Sequence, residues 1–139
     1  MSAPQAGTMK GSTAMAAVIT EIMTANGMTP GEHGHVKVLS PGFMPLSVEV
    51  IGTNVVSVTH YGEQNGDLMA DPDMVFYVQP GGWAPLSYRN DYVGAFLEAA
   101  EVVRDRLQVT NVSEYVNQVD FADSWAQAIR AQGFVEHSA

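Results

Sequence analysis

The hydrophobic period of this chain changes twice along its length, and those changes restrict its fold more than any other feature. Between Ser12 and Asn26 the apolar residues Met15, Val18, Ile19, Ile22 and Met23 recur at steps of three and four, the pattern of one helical stripe. Asn26-Gly27 closes the stripe, because glycine readily adopts the left-handed conformation in which helices end. Past Pro30-Gly31 the period falls to two. Residues 36–39 form a candidate short strand, and Leu46, Val48 and Val50 alternate with Ser47, Glu49 and Ile51. Gly52-Thr53-Asn54 supplies turn residues and alternation resumes over 55–61, so the two runs predict a hairpin. Runs over 74–79 and 84–89, separated by Pro80-Gly81-Gly82, extend it into a meander.

From Asp91 the longer period returns. Asp91 is placed to cap a helix that carries Val93, Phe96, Leu97, Ala100, Val103 and Leu107 on one face. Asn111, with Glu114 three residues later, resembles a capping box. Asp120 and Asp123 start a further segment with Ala122, Trp125, Ala126 and Ile129, ended by Gly133. The expected fold class is therefore α+β: an antiparallel β-meander of four or five strands packed against an N-terminal helix and two or three C-terminal helices. Residues 1–11, rich in Gly, Pro and small polar residues, are expected to be a flexible N-terminal arm. Residues 12–134 form a single domain and 135–139 a short tail, in keeping with a length of 139 residues.

Composition removes several classes of function. With 46% hydrophobic and 15% charged residues the chain is suited to bury a core rather than to stay disordered. Six Lys and Arg against fifteen Asp and Glu leave a net charge of −9, spread over both halves of the chain. That sign makes direct nucleic-acid binding through phosphates an unfavourable expectation, and docking on an anionic membrane equally so. Cysteine is absent, which excludes disulfides, thiolate zinc sites and cysteine nucleophiles. No run approaches the roughly 18 apolar residues of a membrane span. The apolar run after Lys10 is broken by Thr20, Glu21 and Thr24 and makes a poor signal peptide, so the expected location is cytoplasmic.

One segment concentrates polar chemistry. Residues 60–74 hold His60, Glu63, Asn65, Asp67, Asp71 and Asp73 without a single base. Carboxylates so close raise one another's cost of ionisation unless a cation or a donor compensates. One reading is a divalent-metal site for Mg²⁺ or Ca²⁺ built from Glu63, Asp67, Asp71 and Asp73, with His60 as acid/base and Arg89 holding an anionic substrate. The plainer reading is a solvated connection between strands, turned at Asn65-Gly66 and Asp71-Pro72. The spacing is not that of an EF-hand, since position twelve counted from Glu63 is Met74. By strand alternation His60 shares a face with Val56 and Val58, where a hydrogen-bonded core histidine is the ordinary outcome. Glu32-His33-Gly34-His35 lacks a further spaced ligand. Arg89-Asn90-Asp91 is a compact polar trio at the end of the fourth strand, flanked by aromatics. Asn65, Tyr88 and Asp91 are the corresponding candidates for ligand binding, and His60, Glu63 and Arg89 those for catalysis. No phosphate-binding glycine loop and no nucleophile elbow is present.

The string His60-Tyr61-Gly62-Glu63-Gln64-Asn65-Gly66-Asp67-Leu68-Met69-Ala70-Asp71-Pro72-Asp73-Met74-Val75-Phe76 resembles the signature of a bacterial family of unknown function whose members occur on plasmids, conjugative elements and phages. Residues 83–92 and 120–126 are similar to its later parts, and the likeness covers residues 43–134, leaving the first 42 outside. The resemblance implies a mobile-element or phage setting and no catalytic residue. Taken with the acidic, base-poor composition, the expectation is a small acidic cytoplasmic binding or accessory protein acting on a protein partner. No cofactor is expected beyond the Mg²⁺ or Ca²⁺ of the alternative, a metal-assisted hydrolase or nuclease-like enzyme.

Overall fold

The computed structural model describes residues 9–138. Helix α1 (Thr13–Ala25) is followed by strands β1 (Gly34–Val38), β2 (Leu46–Gly52), β3 (Val55–Gln64), β4 (Asp67–Tyr77), β5 (Ala84–Asn90) and β6 (Ala95–Glu98). These six strands make one antiparallel sheet in sequence order. A two-stranded hairpin, β7 (Ala100–Val103) with β8 (Arg106–Val109), precedes helix α2 (Val112–Ala131), and a 3₁₀ turn (Glu136–Ser138) follows it.

The helical stripe read from sequence is the buried face of α1: Met15, Val18, Ile19, Ile22 and Met23 are all buried. Ser12 caps it, accepting from the Met15 amide at 3.0 Å and donating to the Asp123 carboxylate of α2 at 2.6 Å. Both helices pack on one face of the sheet. That face presents cross-strand neighbours Val36, Val48, Val58, Met74, Tyr88 and Leu97, with Val50, Val56 and Phe76 in the next row. The opposite face carries the polar alternates Lys37, Ser47, Thr59, Asp73 and Arg89 in one cross-strand line. A sheet with one face covered and one solvated gives the alternation seen in the sequence.

The expected C-terminal architecture is overturned. The sheet has six strands rather than four or five, and among the described residues one helix, not two or three, follows it. Residues expected as a helix from Asp91 form β6, β7 and β8. Gly94 has φ +65°, and Arg104 and Asp105 have φ +54° and +62°, values that no right-handed helix contains. Arg104-Asp105 is the two-residue turn joining Val103 to Arg106, and positive φ at both positions is the signature of the type I′ hairpin turn. The inward residues Ala100 and Leu107 pack with Ala84, Ala99 and Tyr115 in a second small core. Asp120 and Asp123 start no helix of their own but lie inside α2, which Asn111 caps by accepting from the Glu114 amide at 3.0 Å. Glu114 does not complete a capping box; it accepts from Gln118 at 2.8 Å.

Residues 1–8 of the expected arm lie outside the described residues. Met9 and Lys10 offer carbonyls to the Gln79 and Tyr115 side chains, and Ser12 exchanges backbone hydrogen bonds with Trp83.

Candidate functional site

The polar segment 60–74 is a hairpin rather than an irregular connection: β3 runs to Gln64 and β4 begins at Asp67, leaving only Asn65-Gly66 as the turn. Both have positive φ, +53° and +85°, so Asn65 is where it is for its tolerance of the left-handed region. Glu63 pairs with Leu68 and Gln64 with Asp67 at the exposed tip. Asp73 lies six positions along the strand from Asp67, about 20 Å at the usual rise.

Asp71 and Asp73 are parted in another way. Thr59 pairs with Asp73 and Tyr61 with Ala70, so Asp71 and Pro72 together oppose His60 in a bulge. A proline has no amide for the ladder, and a bulge is where a strand accommodates one. The bulge re-aims side chains. Asp71 faces the helices, in a cleft with His60 and Trp125, whereas Asp73 faces the open side among the strand hydroxyls. The four carboxylates therefore do not converge, and no group of three His, Asp or Glu able to hold a metal occurs among the described residues.

On the open side, Asp73 Oδ1 accepts from Ser57 Oγ and from Thr59 Oγ1, each at 2.9 Å. Arg89 Nη2 lies 3.8 Å from Asp73 Oδ2, and Arg89 Nε lies 3.2 Å from Asp91 Oδ1. The Nε contact is an ion pair without hydrogen-bond alignment, since that buried nitrogen has no hydrogen-bond partner. The guanidinium side chain is 42% exposed, so these pairs contribute at most about 1 kcal/mol each. Asp91 caps no helix. Its Oδ2 accepts from the Ala70 amide at 2.8 Å while its own amide donates to the Ala70 carbonyl at 2.9 Å. That exchange ties the strand end just before the bulge. The chemistry of this cluster is spent inward, on sheet geometry.

On the helix side, Asn90 Nδ2 donates to Asp71 Oδ1 at 2.7 Å and lies 3.4 Å from the Tyr88 hydroxyl. Tyr88 meets Phe121 edge-on, with centroids 5.3 Å apart. That contact joins sheet to helix. His60 is buried between Trp125 and Phe134, at centroid distances of 5.6 and 5.3 Å. Burial holds its pKa below the ordinary value, against the raising effects of the Pro45 and Met44 carbonyls and of Asp71. Sequence reasoning placed His60 on the apolar face and singled out Asn90 within the Arg89-Asn90-Asp91 trio, but Ser57, Thr59 and Trp125 entered no expected site. Ser57 and Thr59 were findable as the alternates of a strand opposite Asp73; the bulge that separates the two aspartates was not.

An exposed apolar surface adjoins the polar cluster, because β6 pairs with Tyr88, Arg89 and Asn90 of β5. Val93, Phe96 and Leu97, in and before edge strand β6, are 74%, 62% and 45% exposed, with Tyr92 and Phe121 also exposed.

Fold and site together define a small antiparallel-sheet protein with two covering helices, whose polar clusters brace the sheet. The chain belongs to the family described as a domain of unknown function (DUF6908), which matches residues 17–135. The match begins inside α1, so this helix and β1 belong to the family's fold and are not outside it as the expected span of 43–134 had them. No curated protein and no solved structure matches the chain. No helix among the described residues is long and apolar enough to cross a membrane.

Proposed function

We propose that this chain is a non-catalytic accessory protein, working in the cytoplasm of a bacterium that carries a mobile element or phage. Its role is to dock an extended basic segment of a partner protein along strand β6. The observation that carries this is the unguarded edge. Sheet edges are normally blunted by lysine, proline or a covering element, because their unpaired backbone groups template further pairing. The β1 edge carries Lys37, whereas β6 carries Phe96 and Leu97 exposed on opposite faces and no base. Between Arg89 and Arg104 the chain has Asp91, Glu98 and Glu101 and no Lys or Arg. An added strand would gain main-chain hydrogen bonds, apolar contacts on both faces and a favourable charge if basic. A second copy is a poorer occupant, because each would bring a net charge of −9. The resemblance of residues 60–76 supports the mobile-element setting, and the absence of cysteine accords with a reducing compartment.

The test is photo-cross-linking from position 96 in host cytosol, with position 51 on β2 as the control, since Ile51 is equally apolar and 51% exposed. The cross-linked partner segment is then synthesised and titrated against the purified chain. A basic segment that binds, and whose binding Leu97→Lys abolishes without lowering Tm, supports the reading. Adducts equal at both positions, a bound segment insensitive to Leu97→Lys, or a β6-mediated homodimer by light scattering would overturn it.

A further inference from the structure

On the helix side of the bulge lies a cleft of about 260 Å³, between the β1–β2 loop, β3, β4 and α2. Phe43 and Met44 stand at its mouth, His60 and Asp71 in its wall, and Trp125 and Gln132 on the helix side. Its polar chemistry is one-sided. His60 Nδ1 is 3.2 Å from the Pro45 carbonyl, and a carbonyl can only accept. Nδ1 therefore holds the proton, and the lone pair of the neutral ring sits on Nε2. Among the described residues no hydrogen bond to Nε2 is formed, the Met44 carbonyl is the other backbone group beside the ring, and the residue, 7% exposed, lines the cleft. Asn90 takes Asp71 Oδ1 and leaves Oδ2 open. The remaining lining is Phe43, Met44, Pro72 and Trp125 with the Gln132 amide, and none of the chain's Lys or Arg lines the cleft.

We propose that this cleft binds a guanidinium or primary alkylammonium group, whose N–H bonds go to Asp71 Oδ2 and His60 Nε2 between the Trp125 and Phe43 rings. A cation with several donors is what a lone pair, a carboxylate and two π faces accept together. An anion would find no cationic donor. A divalent metal would find two protein donors where its sites use more. The volume is below the roughly 300–1,000 Å³ of pockets for drug-sized ligands and suits a head group with a slim apolar stem. The site shares no residue with the β6 edge, so it stands or falls separately from the docking reading.

The test is an NMR titration of the full chain, following the His60 ring and Trp125 indole signals. Agmatine, n-butylammonium and the capped tripeptide acetyl-Gly-Arg-Gly-amide are the probes, and the uncharged isostere acetyl-Gly-citrulline-Gly-amide is the control. Saturable shifts at both residues are expected. Citrulline should bind about tenfold more weakly or worse, and Asp71→Asn should weaken the cations by a similar factor, as loss of a charge-assisted hydrogen bond implies. Phe43→Ala, at the half-exposed mouth, gives a second variant, checked for an unchanged Tm; it should weaken binding several-fold. Binding of the tripeptide as well as agmatine assigns the source to an arginine side chain of a protein, and binding of the free amines alone assigns it to small amines. No shifts from any cation, equal binding of citrulline, or binding unaffected by both variants would overturn the proposal.

Discussion

Asp73 accepts two hydroxyl hydrogen bonds and faces Arg89 with its side chain only 16% exposed. Replacing it with alanine removes the carboxylate to which both hydroxyls donate, leaves the guanidinium its contact with Asp91, and should cost about 1–3 kcal/mol in urea unfolding. An unchanged urea midpoint in Asp73→Ala would contradict the bracing role assigned to this cluster. His60 gives a prediction with a definite sign. Its folded pKa lies below the ordinary 6.5 because of burial, so below that pH the unfolded chain binds the proton more readily than the native one. Its share of stability is present above pH 6.5 and is lost as pH falls from there through the folded pKa, at up to about 1.4 kcal/mol per pH unit. Thermal melts from pH 7.5 to 4.5 should show His60→Gln flatter than the parent; parallel curves would mean that the ring titrates normally.

At the scale of elements, the turn at Arg104-Asp105 holds two L-residues in the left-handed region. Asn-Gly there should stabilise the chain by about 1 kcal/mol, since the left-handed conformation costs roughly 1–2 kcal/mol per ordinary residue. A destabilised Asn-Gly variant would mean that the β7–β8 hairpin is misassigned. Removing the cap of α2 with Asn111→Ala should cost about 1 kcal/mol, measured by denaturation. The same segment marks where the sequence was and was not legible. The α1 stripe, the β2–β3 alternation and the Asn111 cap could be read because local period and turn chemistry agree with the final fold. Over 91–109 they conflict: Val93, Phe96, Leu97, Ala100, Val103 and Leu107 fit a helical stripe by spacing. Short apolar runs are ambiguous in period, and Gly94 within the stripe was the signal that argued for a turn. Likewise Asp71 and Asp73, two apart, would share a face in a regular strand. Only the bulge opposite His60 sends them to opposite sides, and no period reveals it.

At the scale of the whole molecule, the segment before α1 is tied to the middle of the chain at Trp83. Ser12 and Trp83 exchange backbone hydrogen bonds of 2.8 and 3.0 Å, and a Cβ on Gly11 would collide with the Trp83 carbonyl. Gly11→Ala should therefore destabilise the fold by about 1–3 kcal/mol, read as a lowered Tm. An unshifted Tm would show that this contact is dispensable. Strand β6 is the edge of the sheet opposite β1 and carries no lysine or proline. Ala99 donates to the Leu86 carbonyl, so the antiparallel alternation turns Leu97 in towards β5 and the backbone groups of Phe96 and Glu98 outward. Amide hydrogen exchange, on the free chain and on its complex with the segment cross-linked at position 96, tests this directly. The account predicts fast exchange at Phe96 and Glu98 in the free chain and strong protection of both in the complex. Unchanged exchange at these amides, with protection appearing instead along α1 and α2, would contradict it.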